Sequence, residues 1–107
     1  MKAFSNNLIV VNNVNMAKSF SSRFIGLLNK KSINDEGLLL MNCSSIHCFF
    51  MKFTIDVVYL SKEMVVMDKE TVKPWKIGKI VKNTKHVLEL PEGTANNILI
   101  GDKIVFK

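Results

Sequence analysis

The sequence predicts a small, mainly β fold, a sandwich or a barrel, with one short α-helix near residues 16–28. Short apolar runs rich in Val, Ile and Leu recur along the 107 residues, turn residues separate them, and only one stretch has the periodicity of a helix. The chain is 48% hydrophobic and 22% charged, which is enough apolar material for one core without a metal or a disulfide. We therefore expect a single domain over residues 1–107.

The N-terminal part contains the first predicted strand and the predicted helix. Leu8–Val11 is apolar and mostly β-branched, which favours a strand, and the asparagine-rich segment Asn12–Asn15 is expected to end it. The segment from Met16 to Leu28 places four apolar side chains at helical spacing: Phe20, Phe24, Leu27 and Leu28. These side chains form one face of the expected helix.

The middle of the chain predicts two buried strands. Leu38–Met41 has no polar alternate, which is typical of an interior strand covered on both faces. A longer strand region begins near Ile46, and its core face carries Phe53, Ile55, Val57 and Tyr59. Asp56 lies on the opposite face in line with apolar neighbours, so its carboxylate needs a polar partner if it is buried.

The C-terminal half predicts a series of short strands. Residues 61–63 form a turn that makes an antiparallel hairpin, and His86–Leu90 is a further strand. Thr94–Asn97 is expected to form one helical turn. Ile98–Ile100 and Ile104–Phe106 are predicted to be a final pair of strands around a glycine-containing turn.

Charge and the N-terminus narrow the class of partner. The net charge of +6 comes from fourteen lysines and one arginine against nine acidic residues, so anionic partners are attracted at low salt. An AT-rich genome would enrich Lys, Asn and Ile in the same way, so nucleic acid is not the expected partner. No apolar run is long enough for a signal peptide or a membrane span, and we expect a cytoplasmic protein.

Several separated blocks resemble one known family. They are Arg23–Leu28, Gly37 with its apolar run, the long block Cys43–Leu60, Pro74–Lys76, Val87–Ala95 and Gly101–Asp102. In this order and spacing they are similar to the domain of unknown function 192 family, also called uncharacterised protein family 0127, over residues 17–105 or so. The resemblance implies a β-sandwich of jelly-roll type with a small helical element. It implies no established reaction and no catalytic residue.

Arg23 is the first candidate for ligand binding. In a chain that otherwise uses lysine for its positive charges, one arginine suggests a need for the planar guanidinium, which binds carboxylates and phosphates with two hydrogen bonds. The alternative is structural: Arg23 pairs with Asp56 or Glu89, the two predicted buried polar partners, and ties helix to sheet.

The residues Cys43, His47 and Cys48 form the only cluster with nucleophile or metal chemistry. The spacing of the two cysteines does not fit a zinc site unless His86 completes it, so no metal and no cofactor are expected. In a reducing compartment both cysteines are expected to be thiols. The preferred interpretation is that Cys48 packs as a small hydrophobe and Cys43 lies in a loop. His47 belongs either to the core or to the mouth of a pocket.

Trp75 follows a proline in a basic connection, where an aromatic ring stacks on a ligand or covers the core. The lysines of this connection recur every third residue, which matches neither helix nor strand and indicates a solvated loop.

The leading hypothesis is a non-enzymatic binding module. Its predicted site contains Arg23, His47, Lys52 and Trp75 and takes a small anionic ligand, a glycan or a protein segment. The alternatives are a small enzyme that uses a cysteine and His47, and a structural or assembly protein.

Overall fold

The computed structural model describes residues 1–17, 35–44 and 53–107 of the chain. Within these residues, eight strands and one short 3₁₀ helix follow in order: β1 (Ala3–Ser5), β2 (Leu8–Val11), β3 (Asn13–Ala17), β4 (Glu36–Leu40), β5 (Ile55–Leu60), β6 (Val66–Val72), β7 (His86–Pro91), η1 (Thr94–Asn97) and β8 (Ile104–Phe106). They form a three-stranded sheet in the order β2-β1-β8 and a five-stranded sheet in the order β3-β4-β7-β5-β6. The prediction of a mainly β fold is confirmed, and the strands of the described ranges do not close into a barrel.

The inner strands of the five-stranded sheet, β4, β7 and β5, are buried on both faces, which accounts for their largely apolar sequences. All six residues of β5 are buried, as are all five residues of β7 from His86 to Leu90. The predicted core face of β5 is confirmed, since Ile55, Val57 and Tyr59 belong to one apolar cluster, with Phe53 partly buried against it. The interior position predicted for β4 is also confirmed, because β3 and β7 flank it.

Two apolar clusters lie on opposite faces of this sheet. The inter-sheet cluster joins it to the three-stranded sheet and contains Ala3, Val11, Val14, Leu39, Val58, Leu60, Val66, Leu88, Leu90, Ala95, Ile98 and Ile104. The outer cluster contains Leu38, Leu40, Ile55, Val57, Tyr59, Val72 and Val87. Because the first cluster takes residues from both sheets, the described elements form a sandwich.

The structure corrects the predicted N-terminal elements. A strand, β1, precedes the predicted first strand and pairs with it through a two-residue turn. The first strand ends at Val11, as predicted, but the asparagines that follow do not form a longer turn: after a bend at Asn12, β3 begins at Asn13 in the other sheet and pairs in parallel with β4. Pairing with a buried strand outweighs the weak strand propensity of asparagine. Met16 and Ala17 belong to β3, and the rest of the helix predicted near residues 16–28 lies outside the described residues.

The predicted pairing of residues 98–100 with residues 104–106 is wrong. Ile98–Ile100 is not a strand, and β8 pairs instead with β1 in antiparallel register. The two chain termini extend this pairing, since the Lys2 N–H donates to the Lys107 carbonyl (2.7 Å) and the Lys107 N–H to the Lys2 carbonyl (2.9 Å). Local turn chemistry gave no sign of this partner, which lies about a hundred residues away in sequence.

The other C-terminal predictions are confirmed. β5 and β6 form the antiparallel hairpin, His86–Pro91 is a strand, and Thr94–Asn97 is a single 3₁₀ turn.

Among the described residues, no helix has both the length and the apolar character that a membrane span requires.

His86 should make the stability of the fold depend on pH. Its side chain is buried, and its Nδ1 accepts a hydrogen bond from the Asn42 N–H (3.2 Å). Burial lowers the pKa of His86, and the neighbouring Lys85 lowers it further. Below the unfolded pKa of about 6.5, His86 is protonated in the unfolded chain but still neutral in the folded protein. The free energy of unfolding should therefore fall as the pH drops from that value to the lower pKa of the folded state.

The measurement is urea unfolding of the wild type and of His86→Asn at a series of pH values around neutrality and below. Asparagine keeps an acceptor near the position of Nδ1 but does not titrate. The unfolding free energy of the variant should depend less steeply on pH than that of the wild type. His47, the other histidine, is present in both proteins, so the difference between the two curves reports His86 alone. Parallel curves would show that His86 does not couple stability to pH.

Candidate functional site

A groove of about 380 Å³ lies between the β1–β2 hairpin and η1, and we call it the edge groove. Its lining contains Ser5, Asn6, Leu8, Ile9, Val10, Gly93, Thr94, Asn97 and Ile98. These described residues offer hydroxyl and carboxamide groups on an aliphatic surface and carry no formal charge. A volume of this size is within the usual range of ligand sites. The edge groove is therefore suited to a ligand with uncharged polar and aliphatic groups.

Asp56 holds the η1 wall of the edge groove in place. Its Oδ2 accepts hydrogen bonds from the Gly93 N–H (2.9 Å) and the Ala95 N–H (3.0 Å), and its Oδ1 accepts one from the Thr71 hydroxyl (2.9 Å). Gly93 has a φ of 89°, a left-handed conformation that glycine adopts without strain. Asp56 is buried, and two of its three hydrogen-bond partners are main-chain groups at the start of η1.

Lys69 holds the other end of η1. Its Nζ donates to the Ala95 carbonyl (2.8 Å) and lies 3.4 Å from the Asn96 carbonyl. A small cavity of about 140 Å³ adjoins this contact, with Asp56 and Thr71 among its lining residues. A carboxylate at the first N–H groups and an ammonium group at the last carbonyls both stabilise a short helical turn. The η1 wall is thus fixed by a charge at each end.

Asp102 holds the hairpin wall. Its carboxylate accepts hydrogen bonds from the Leu99 N–H (2.9 Å) and the Ser5 hydroxyl (3.0 Å), and it lies 3.4 Å from the Asn6 amide nitrogen. The Leu99 N–H, followed by the Ser5 hydroxyl, lowers the pKa of Asp102, so the carboxylate is ionised at neutral pH. The same carboxylate closes the turn at Gly101, whose φ is 96°. Two loops distant in sequence are joined at one acid.

Strand β2 forms the exposed side of the edge groove. It is an edge strand of the three-stranded sheet, and in the described part of the chain no strand pairs with its outer side. Leu8 is 72% exposed and Ile9 is 51% exposed. Edge strands are usually protected by lysine or proline, yet residues 6–13 contain no charged residue and no proline. A bulge at Val10 twists the strand, but Leu8 and Ile9 remain open to solvent.

The structure describes only one of the four predicted ligand-binding residues. Trp75 is exposed in the loop between β6 and β7, and it is not among the residues that line the edge groove. Arg23, His47 and Lys52 lie outside the described residues, so the site predicted around them stays a prediction.

The two predicted buried polar residues are both buried, but on opposite faces of the five-stranded sheet. Asp56 alternates along β5 with residues of the outer cluster and so faces the inter-sheet side. Glu89 shares its face of β7 with Val87 of the outer cluster. One cationic side chain cannot approach both carboxylates from the same face.

The described part of the cysteine cluster is Cys43. It lies in a loop, as predicted, is half-buried against the outer cluster, and its N–H donates to the Lys85 carbonyl (2.9 Å). Cys48 and His47 lie outside the described residues, and the thiol–imidazole hypothesis stays untested. Over residues 1–17, 35–44 and 53–107, no group of three side chains could hold a metal ion.

Sequence reasoning missed the edge groove altogether. A signal was present in Asn6 and Asn7, which separate two short apolar runs and have positive φ values of 51° and 65°. Two residues that tolerate positive φ between apolar segments are a strong indication of a tight hairpin. Recognising it would have placed β1 and made Leu8–Val11 one arm of a hairpin.

The described fold and site define a class: a small two-sheet β protein with an uncharged groove beside an exposed edge strand. The chain matches the DUF192 family, described as an uncharacterized ACR, over residues 2–106, and it belongs to that family. This confirms the resemblance found in its sequence blocks.

Two curated relatives carry names of the same kind. UPF0127 protein PH1112 of Pyrococcus horikoshii is 36% identical in an alignment 107 positions long. The alignment covers 94% of this chain and 92% of the relative. UPF0127 protein TK1120 of Thermococcus kodakarensis is 32% identical in an alignment 98 positions long. That alignment covers 85% of this chain and 62% of the relative. The chain thus spans less than two thirds of the second protein.

A solved structure shares the fold. It is a protein of unknown function from Novosphingobium aromaticivorans, with a TM-score of 0.76 over 87% of this chain and 74% of that protein. At 18% sequence identity this likeness shows the fold alone.

Proposed function

We propose that this protein is a binding module whose edge groove takes an extended segment of another protein. The observation that carries the proposal is the unprotected apolar edge of β2 beside a groove of about 380 Å³. A peptide that pairs with a sheet edge gains main-chain hydrogen bonds, and its alternate side chains enter the adjacent groove. The exposed Leu8 and Ile9 would then be covered.

The lining favours a peptide over the other two ligands predicted from the sequence. A small anion needs a charged partner or several free donors, and the described lining is uncharged. A glycan is usually bound by an aromatic face, and the described lining has none. Carboxamides at Asn6 and Asn97 can match the donor and acceptor of a peptide unit, and aliphatic walls can match an aliphatic side chain.

The expected affinity is modest. Covering one Leu and one Ile gains about 1.5–3 kcal/mol each, and each hydrogen bond adds about 1 kcal/mol, while association costs at least about 4 kcal/mol. With about five such hydrogen bonds the sum is about 4–7 kcal/mol, which corresponds to a dissociation constant on the order of 100 μM for a short peptide.

The test is an NMR titration with a synthetic peptide of alternating valine and threonine, capped at both ends and carrying one terminal glutamate for solubility. Saturable shifts are expected at the amides of β2 and of residues 93–98, because both walls contact the peptide. Citrate and maltotriose are titrated in parallel. Saturable shifts with either of these, and none with the peptide, would overturn the proposal.

A matched pair of variants distinguishes binding along β2 from binding at the opposite edge of the same sheet. Ile9 and Val105 both pair with Phe4, one from each edge of the same sheet, and both are exposed. Ile9→Lys should weaken peptide binding at least about tenfold, because a lysine on an edge strand blocks pairing. Val105→Lys adds the same charge on the opposite edge and should leave binding unchanged.

Equal loss in both variants would contradict binding along β2. Sedimentation of the wild type at two concentrations covers the assembly alternative. A dimer that forms with rising concentration and is abolished by Ile9→Lys would mean that the occupant is a second copy and not a separate peptide.

A further inference from the structure

A second surface lies on the connection between β6 and β7, residues 73–85, which we call the basic loop. It contains five lysines, at positions 73, 76, 79, 82 and 85, and no acidic residue. All five are exposed, and all except Lys79 pair with no carboxylate among the described residues. These four lysines carry four positive charges, whereas the net charge of the whole chain is +6.

The basic loop also exposes large apolar side chains between its lysines. Trp75 is 58% exposed, Ile77 is 67% exposed and Ile80 is 89% exposed. Single exposed apolar residues are common, but three within six residues, each next to a lysine, form a mixed apolar and cationic surface.

The basic loop is attached to the sheet at its middle. The Lys79 N–H donates to Glu70 Oε2 (2.7 Å), and the Lys79 ammonium group lies 2.8 Å from Asp68 Oδ2. Glu70 also accepts a hydrogen bond from the Tyr59 hydroxyl, so the attachment reaches the buried strand β5. Ile77 and Ile80 flank this attachment on either side. They are therefore held near the sheet and yet remain open to solvent.

We propose that the basic loop docks the protein peripherally on an anionic lipid surface. Lysines attract the negative headgroups, tryptophan prefers the interface between headgroups and acyl chains, and the isoleucines gain from entering the apolar boundary. A nucleic acid would use the lysines and the ring, but aliphatic side chains offer no stacking surface to a base. Membrane docking therefore accounts for all three kinds of residue, and it is independent of the edge groove.

The test uses the natural fluorescence of the full chain, because Trp75 is its only tryptophan. Vesicles of phosphatidylcholine with added phosphatidylserine should shift the emission to shorter wavelength and carry the protein down on sedimentation. Vesicles of phosphatidylcholine alone should do neither. Binding should weaken with rising salt, because the attraction of lysines to headgroups is screened.

Matched variants identify the surface. Lys73, Lys76 and Lys82 are changed to Gln in one protein, and the exposed Lys2, Lys62 and Lys103 in another, so that both have the same net charge. If each lysine contributes about fivefold, the first variant binds roughly 100-fold more weakly, and the control loses far less. Ile77→Ser with Ile80→Ser should abolish the fluorescence shift, whereas Leu99→Ser with Ile100→Ser, also exposed, should preserve it.

Three results would overturn the proposal. Equal loss in the two lysine variants would show attraction by net charge alone. A fluorescence shift that survives the Ile77 and Ile80 substitutions would show that no apolar insertion occurs. Saturable binding of a single-stranded oligonucleotide, with no binding to the anionic vesicles, would assign the basic loop to nucleic acid.

Discussion

Replacing Asp56 with alanine should lower the free energy of unfolding by about 3–5 kcal/mol, as measured by urea unfolding. The carboxylate is buried and accepts hydrogen bonds from Thr71 and from the main chain of Gly93 and Ala95. The variant leaves those donors without an acceptor, and each buried unsatisfied donor costs about 1–3 kcal/mol. Because these bonds fix η1, the amides of residues 93–97 should also shift, and peptide binding in the edge groove should weaken.

Two controls separate the hydrogen bonds from the loss of a carboxylate as such. Asp56→Asn keeps one acceptor oxygen for the main-chain donors and should lose about half as much, since neutral hydrogen bonds are roughly half as strong as charge-assisted ones. Asp68→Ala removes a carboxylate that pairs with Lys79 in a partly exposed setting, and it should cost at most about 1 kcal/mol. Equal losses for Asp56→Ala and Asp68→Ala would refute a special role for the buried acid.

Leu88→Ala should also have a large effect, about 2–5 kcal/mol of unfolding free energy. Leu88 is fully buried on β7, the middle strand of the five-stranded sheet, and pairs with Leu39 on one side and Val58 on the other. Truncation removes buried apolar surface and leaves a cavity that rigid neighbouring strands cannot close.

The matched control is Leu99→Ala, at a leucine that is 61% exposed in the turn before β8. Its effect should stay within about 0.5 kcal/mol. Thermal or urea unfolding of both variants checks the prediction. A loss below about 1 kcal/mol for Leu88→Ala would mean that the inter-sheet cluster repacks around the gap.

The prediction of site residues from the sequence favoured rare residue types. Arg23 and Trp75 are single in the chain and drew attention for that reason, whereas the edge groove is built from common residues such as Ser5 and Ile9. A common residue becomes part of a site only through its position. The groove depends on a bond between Ser5 and Asp102 and on another between Asp56 and Gly93, and neither pair is close in sequence.

Asp56 and Lys69 show how much of a site a sequence can reveal. The apolar neighbours of Asp56 along β5 already required a polar partner, because alternation along a strand is a local property. The identity of that partner was not local, since Gly93 reaches Asp56 only when β7 pairs with β5. Lys69 gave no signal at all, because a lysine on a half-exposed strand is ordinary.

The mainly β class, the buried alternation of β5, the β5–β6 hairpin, β7 and the turn at 94–97 could all be predicted from the sequence, because each depends on side chains within a few residues of one another. Three features could not be predicted in this way: β3 runs through an asparagine-rich segment, β8 pairs with β1, and β2 is an exposed edge strand. Those features depend on which distant strand supplies the hydrogen bonds, and strand pairing is fixed by burial across the whole molecule.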